Sequence, residues 1–180
     1  MLPRIPVCVP CTIGTDIVHI KRIRDLIVPR LQQNDGGRRL NRFLDRILHP
    51  LERQDFDKRF PAFRRICGNE HPQDKNGRVT AQFHKPVGTW LAGRWAAKEA
   101  AKKAWGAHML GFKDVRVEVC EGGVVQIVSS GWRTSADGQL TERAEQVGRL
   151  SISHDGEYAI ATVMATPLRI TPAALQDNVS

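Results

Sequence analysis

The stretch WLAGRWAAKEAAKKAWG, residues 90–106, decides the architecture. It is built of Ala, Lys, Leu, Trp and other residues without β-branching, side chains that lose little freedom in a helix. The pattern predicts the longest helix of the chain over 89–105, with Thr89 capping its start and Gly106 closing its end. Glu99 stands in its second half, and Lys103 follows one turn later on the same face, the spacing of an i,i+4 ion pair. Ala96, Ala97, Ala100 and Ala101 surround Glu99. Side chains this small let a strand, a second subunit or a ligand come close to the helix.

Beyond this helix, the runs DVRVEVC (114–120) and GVVQIVS (123–129) flank Glu121-Gly122 and predict a hairpin. Residues 130–148 are polar, contain three glycines and read as a loop. RLSISH and EYAIATVMAT then flank Asp155-Gly156, a second hairpin signal, and residues 167–180 read as a tail.

On the other side, TIGTDIV (12–18) reads as a short strand ending near Asp16. Ile17, Ile20, Ile23 and Ile27 then recur at helical spacing, opposite Lys21, Arg22 and Arg24. The run NDGG (34–37) breaks this helix, and a second helical segment over 40–48 stops before Pro50. Residues 61–86 are rich in turn formers and read as an inserted loop. The expectation is a single α+β domain over 1–166, a small antiparallel sheet packed on a long central helix.

A chain of 180 residues with 41% hydrophobic residues suits one domain with one core. No window approaches the roughly eighteen consecutive apolar residues of a membrane span. With 27 Lys and Arg against 19 Asp and Glu, the formal charge is +8, which favours an acidic partner or a phosphorylated ligand. Four cysteines are too few and too scattered for a disulfide framework. Cys8 and Cys11 form a lone CxxC, with Cys67 and His71 as conceivable zinc partners, a weak signal without a second pair at finger spacing. The opening MLPRIPVCVPCT matches neither a secretory signal nor an Arg- and Ser-rich transit peptide.

Three places could carry chemistry. Glu99, with Lys103 beside it, is the first. Asp16 is the second, readable as the N-cap of the following helix or as a hard oxygen ligand at the core's edge. The third is His154 at a hairpin end, with Ser151 and Ser153 nearby; Ser153 and His154 offer donors to a phosphate or a ribose. Two carboxylates on separate elements, a lysine near one, and a Ser/His pair on a third suit a magnesium ion that also takes phosphate oxygens.

These residues lie in three blocks, IGTDIVHIKRI (13–23), WLAGRWAAKEAAKKAWG (90–106) and LSISHDGEYAIATVM (150–164), with a weaker fourth, RFLDRILHPLE (42–52). In content and order they resemble the holo-acyl-carrier-protein synthase type of 4′-phosphopantetheinyl transferase. The resemblance implies that Asp16 and Glu99 bind Mg2+ together with the coenzyme A diphosphate, and that Lys103 lies by the phosphates. It implies that Arg94 and His154 hold the 3′-phosphoadenosine end. Arg22 would face an acidic acyl-carrier protein, with Arg24 and Lys21 helping to steer it. The implied assembly is a homotrimer with active sites between neighbouring subunits. The implied reaction moves phosphopantetheine from coenzyme A, as substrate, to a carrier-protein serine, with Glu99 taking the serine proton directly or through a water on the metal.

The chain departs from bacterial members in three places: GAHMLGFKDV stands where they have GTG, residues 61–86 are inserted, and the polar 130–148 segment replaces a helix. These departures resemble fungal members serving a mitochondrial carrier protein, so a mitochondrial location is expected, and a cytoplasmic one otherwise. The rival expectation is a non-catalytic, basic nucleic-acid-binding module. It explains the charge but not the paired carboxylates, and 6% aromatics with one tyrosine make a poor stacking platform.

Overall fold

The computed structural model describes residues 11–31, 38–61, 63, 78–106, 110–134 and 140–166. Strand β1 (Thr12–His19) leads directly into helix α1 (Ile20–Leu31); α2 (Arg38–Ile47) and α3 (Pro50–Arg59) follow, then the long helix α4 (Arg78–Trp105). Strands β2 (Val115–Val119), β3 (Val125–Thr134), β4 (Leu140–Asp155) and β5 (Tyr158–Ala165) complete a five-stranded antiparallel sheet of order β1-β5-β4-β3-β2. This is the α+β arrangement expected, a sheet packed on a long helix. Among the described residues no helix is long and apolar enough to cross a membrane.

Side-chain alternation gives the sheet two unlike faces. The inner face carries Gly14, Val18, Ala159, Ala161, Val163 and Ala165, and the buried residues among them meet Ala96, Ala97, Ala100, Ala101 and Ala104 of α4. Small residues on both sides bring backbone close to backbone. The tightest point is Gly14, where a Cβ would overlap the Ala100 carbonyl oxygen and stand 2.6 Å from the Ala104 amide nitrogen. The Thr12 hydroxyl donates to the Ala104 carbonyl, one of the helix-end acceptors that lack an intrahelical partner. The alanines around Glu99 are thus occupied by the chain's own sheet rather than left open for a second subunit.

The outer face has no covering element among the described residues. Ile13 and Ile17 of β1 are 68% and 61% exposed, and Tyr158, Ile160 and Met164 of β5 lie exposed beside them. The register pairs Ile13 with Met164 and Ile17 with Ile160, so these side chains form one apolar patch.

Several boundaries differ from those expected. Helix α4 runs back to Arg78, through Pro86, so Thr89 is inside the helix and not its cap. Gly106, at φ 63°, does close the helix. Ile17 belongs to β1 and faces outward, while Ile20, Ile23 and Ile27 form the buried stripe of α1. The 130–148 segment is not a loop: β3 and β4 continue through it, pairing as far as Thr134 with Leu140, with an irregularity at Trp132/Arg133. The Glu121-Gly122 hairpin and the turn at Gly156 (φ 54°) form as expected. Cys8, Cys67, His71, the 167–180 tail and most of the 61–86 insertion lie outside the described residues.

Candidate active site

Gly14 and Asp16 are two residues apart on β1 and share the inner face, so the close crossing at Gly14 delivers Asp16 to helix α4. There Lys103 Nζ donates to Asp16 Oδ1 (2.8 Å) and to the Thr15 carbonyl (2.8 Å). The expected i,i+4 partner of Lys103 is therefore displaced. Glu99 is approached instead by Lys102, at 3.4 Å. Asp16 is not an N-cap, because the strand runs on to His19 and α1 begins only at Ile20.

His154 also lies on the inner face. A Cβ at Gly93 would stand 3.0 Å from its Nε2, so the missing side chain in α4 makes room for the imidazole. Ser153 projects to the opposite face, beside outward-facing Ile160. Adjacency in sequence does not bring its hydroxyl to the side where His154 lies. Asp16 and His154 sit on β1 and β4 with β5 between them, and their contacts on α4, at Lys103 and Gly93, are separated by about 15 Å of helix rise. The residues singled out in the sequence fall at two levels of one helix: Glu99 and Lys103, the latter on Asp16, lie in its C-terminal part, whereas Gly93, against His154, and Arg94 lie near its middle.

The Arg94 guanidinium stacks on the Trp90 ring, 3.3 Å from its centroid, and its Nε lies 3.9 Å from Glu52 Oε1. That Nε is buried and has no hydrogen-bond partner among the described residues. Burial pulls Arg94 down to about 10, against the opposing pull of Glu52.

Glu52 and Lys98 were not singled out from the sequence. Each is 1% exposed, and Lys98 Nζ meets Glu52 Oε2 at 2.5 Å. Lys98 also donates to the carbonyls of Ile47 and Phe112, both at 2.8 Å. Glu52 further accepts from the amides of Val117 (2.9 Å) and His49 (3.0 Å). Burial lowers the Lys98 ammonium, and Glu52 pulls it back up. Removing one member of such a pair typically costs about 3–5 kcal/mol. Two signals were present. Glu52 is the N3 residue of a capping box opened by His49, with Pro50 between them. Lys98 stands seven residues from both Leu91 and Trp105, on a stripe otherwise apolar and buried.

Arg22, exposed on α1, lies over the Trp95 ring (5.9 Å), which packs on Phe112 (4.7 Å between centroids); Lys102 lies over Phe112 at 5.3 Å. A half-buried aromatic pair flanked by two cations therefore sits beside Glu99. Arg24 is engaged elsewhere. It pairs with Glu157 in the β4–β5 turn, its stem passing over Gly88 of α4, and Lys21 pairs with Asp25 at 2.7 Å.

Residues 12–163 match the 4′-phosphopantetheinyl transferase superfamily. The chain is 40% identical over 168 residues to the Aspergillus fumigatus protein named 4′-phosphopantetheinyl transferase B, mitochondrial, covering 89% of this chain and 97% of that one. It is 32% identical over 157 residues to a holo-[acyl-carrier-protein] synthase of Gloeobacter violaceus, covering 84% and 89% of the two chains. Among solved structures, the holo-[acyl-carrier-protein] synthase of Neisseria meningitidis superposes with a TM-score of 0.50 at 27% identity, over 86% of this chain and 96% of that one. The chain belongs to the 4′-phosphopantetheinyl transferase superfamily, and the transferase reading displaces that of a nucleic-acid-binding module.

Proposed function

We propose that this enzyme moves the 4′-phosphopantetheine group from coenzyme A to a serine hydroxyl of an apo acyl-carrier protein, in a Mg2+-dependent reaction. The serine oxygen forms a bond to the phosphorus next to pantetheine, the diphosphate bridge breaks, and adenosine 3′,5′-bisphosphate leaves. The observation that carries this reading is the Asp16–Lys103 contact beside Glu99, two carboxylates and an ammonium on adjoining elements of a transferase fold.

The donor set suits magnesium. Among the described residues no group of three or more His, Cys, Asp and Glu gathers, and magnesium takes only one or two protein carboxylates, completing its shell with phosphate and water oxygens. Asp16 and Glu99 would hold the ion, which when bound supplies Lewis-acid charge to the diphosphate. Lys103, half-exposed on Asp16, is within reach of an incoming phosphate and can offset charge on the leaving group. Glu99, held only loosely by Lys102, accepts the serine proton. Arg94, whose Nε has no hydrogen-bond partner among the described residues, and His154 receive the 3′-phosphoadenosine end.

Two further readings belong to this proposal. The working form is a homotrimer: the apolar outer face of β1 and β5 calls for a covering surface. A neighbouring copy would then border the active site, as the family resemblance implies. The carrier protein docks on Arg22, Trp95 and Lys102, where cations flank an apolar pair, as suits an acidic partner. The mitochondrion is the proposed location, in line with the name of the Aspergillus relative.

Intact-mass measurement of apo carrier protein incubated with coenzyme A tests the reaction. A mass gain is expected with magnesium and the wild-type enzyme, and none with Asp16→Ala or without the metal. Absence of any gain under all conditions ends the proposal.

A further inference from the structure

The carboxylate of Glu52 lies between two cations, and the two contacts are unequal. Lys98 Nζ is at 2.5 Å from Oε2, whereas Arg94 Nε is at 3.9 Å from Oε1 and has no hydrogen bond among the described residues. Both Glu52 oxygens are otherwise held by backbone amides, Val117 on Oε1 and His49 on Oε2. The three protons of the Lys98 ammonium match three acceptors, Glu52 and the carbonyls of Ile47 and Phe112. One negative charge thus faces two positive ones, and its geometry is committed to Lys98. Asp55 and Arg59 also act on Arg94, with opposite signs. Trp90 covers one face of the guanidinium, so its nitrogen edge is where an oxyanion would bind.

We infer that Lys98 is a positioning residue for Arg94: by holding the Glu52 carboxylate, it keeps the Arg94 guanidinium un-neutralised and available to an anionic group of the substrate. With the lysine charge removed, Arg94 becomes the nearest cation to a buried carboxylate and is drawn onto it. The inference rests on the reading that Arg94 receives a phosphate of coenzyme A. It separates from a plain structural role because the two halves of the Glu52–Lys98 pair should not behave alike. Losing Lys98 leaves a carboxylate that competes for Arg94, while neutralising Glu52 removes the competitor.

Steady-state kinetics of Lys98→Gln, Glu52→Gln, the double variant and Arg94→Gln test this. Lys98→Gln is expected to raise KM for coenzyme A about tenfold with kcat nearly unchanged, a loss of ground-state and transition-state binding alike. Glu52→Gln should leave that KM unchanged or lower, and the double variant should return it to within about twofold of wild type, since uncoupled defects would instead add. The inference is overturned if both single variants raise KM for coenzyme A equally, or if Lys98→Gln leaves it unchanged while Arg94→Gln raises it. Should Lys98→Gln fail to fold, Glu52→Gln decides alone: an unraised KM supports the inference and a raised one overturns it. If Arg94→Gln has no effect on KM for coenzyme A, the phosphate reading fails, and nuclear magnetic resonance of the Arg94 Nε–H group in the free enzyme becomes the deciding measurement. In Lys98→Gln that signal should move downfield and exchange more slowly as a bond to Glu52 forms; an unchanged signal overturns the inference.

Discussion

Lys103 Nζ lies 2.8 Å from Asp16 Oδ1, joining the C-terminal part of helix α4 to strand β1 across 87 positions of sequence. A carboxylate on an edge strand is thereby fixed against the helix that carries Glu99. Lys103 is 53% exposed and Asp16 19%, so the pair is screened by solvent and contributes little to stability.

Asp16→Asn separates chemistry from folding at this contact. Activity should fall by about two orders of magnitude or more, the scale of losing a group that organises transition-state charge. The melting temperature should stay within about 3 °C of wild type, the scale of an exposed pair. Differential scanning calorimetry beside the carrier-protein assay checks both. A large thermal loss with activity retained would make the carboxylate structural.

Arg22 and Arg24 should part company. Arg22→Glu is expected to raise KM for the carrier protein by about tenfold or more, with salt reducing the difference, and to leave KM for coenzyme A nearly unchanged. Arg24→Ala removes the tie to Glu157 and should register mainly as lost stability. An equal rise of both KM values in Arg22→Glu would remove Arg22 from the docking surface.

On the outer face of the sheet, Ile17→Glu should prevent assembly without altering the fold. Light scattering coupled to size exclusion is expected to give three times the chain mass of 20.2 kDa for wild type and a single chain mass for the variant, with unchanged far-ultraviolet circular dichroism. Activity should disappear with the trimer. A wild-type enzyme that is monomeric and fully active would refute the shared site.

His49 supplies a pH signature. Burial, then the nearby Arg116 guanidinium, hold its imidazole below the ordinary 6.5, and Nδ1 must be unprotonated to accept from the Leu51 amide at the start of α3. The folded state therefore binds a proton less readily than the unfolded one. The stabilisation is present in full above about pH 6.5 and is lost as pH falls through the lower folded value. His49→Asn keeps a capping side chain but cannot titrate, so its stability curve should be flatter over that window in denaturant titrations at several pH values. Identical slopes for the two proteins would show that His49 is not the titrating group.

The central helix from Thr89 onward and both hairpins could be read from the sequence, because each rests on a local rule, propensity or turn chemistry; Asp16 and His154 could be singled out, but not the face on which they lie. What escaped depends on contacts distant in sequence or on surroundings that periodicity cannot report. The β3–β4 ribbon through 130–148 looked like a loop because polar residues erase the alternation that marks a half-buried strand. Lys103 was assigned to Glu99 by helical spacing alone, and Asp16, 87 positions away, outcompetes it. Periodicity puts Lys98 on the apolar stripe of Leu91 and Trp105 but does not name the groups it meets there. The burial of Lys98 follows from α2, α3 and the turn at Phe112 closing over it.

Replacing glycine by alanine inside helices and strands is a common route to a hardier enzyme, because it restricts the unfolded chain. Here that recipe would act against itself. Gly14 admits the helix that meets Asp16, Gly88 lets the Arg24 stem pass, and Gly93 leaves space for His154. A screen that rewards heat resistance alone would avoid Gly14, where the clash is with backbone. At Gly88 and Gly93 the obstacle is a side chain that can swing aside. Thermally improved variants found there would have traded a placed arginine or imidazole for a stiffer helix, and only an activity counter-screen would expose them.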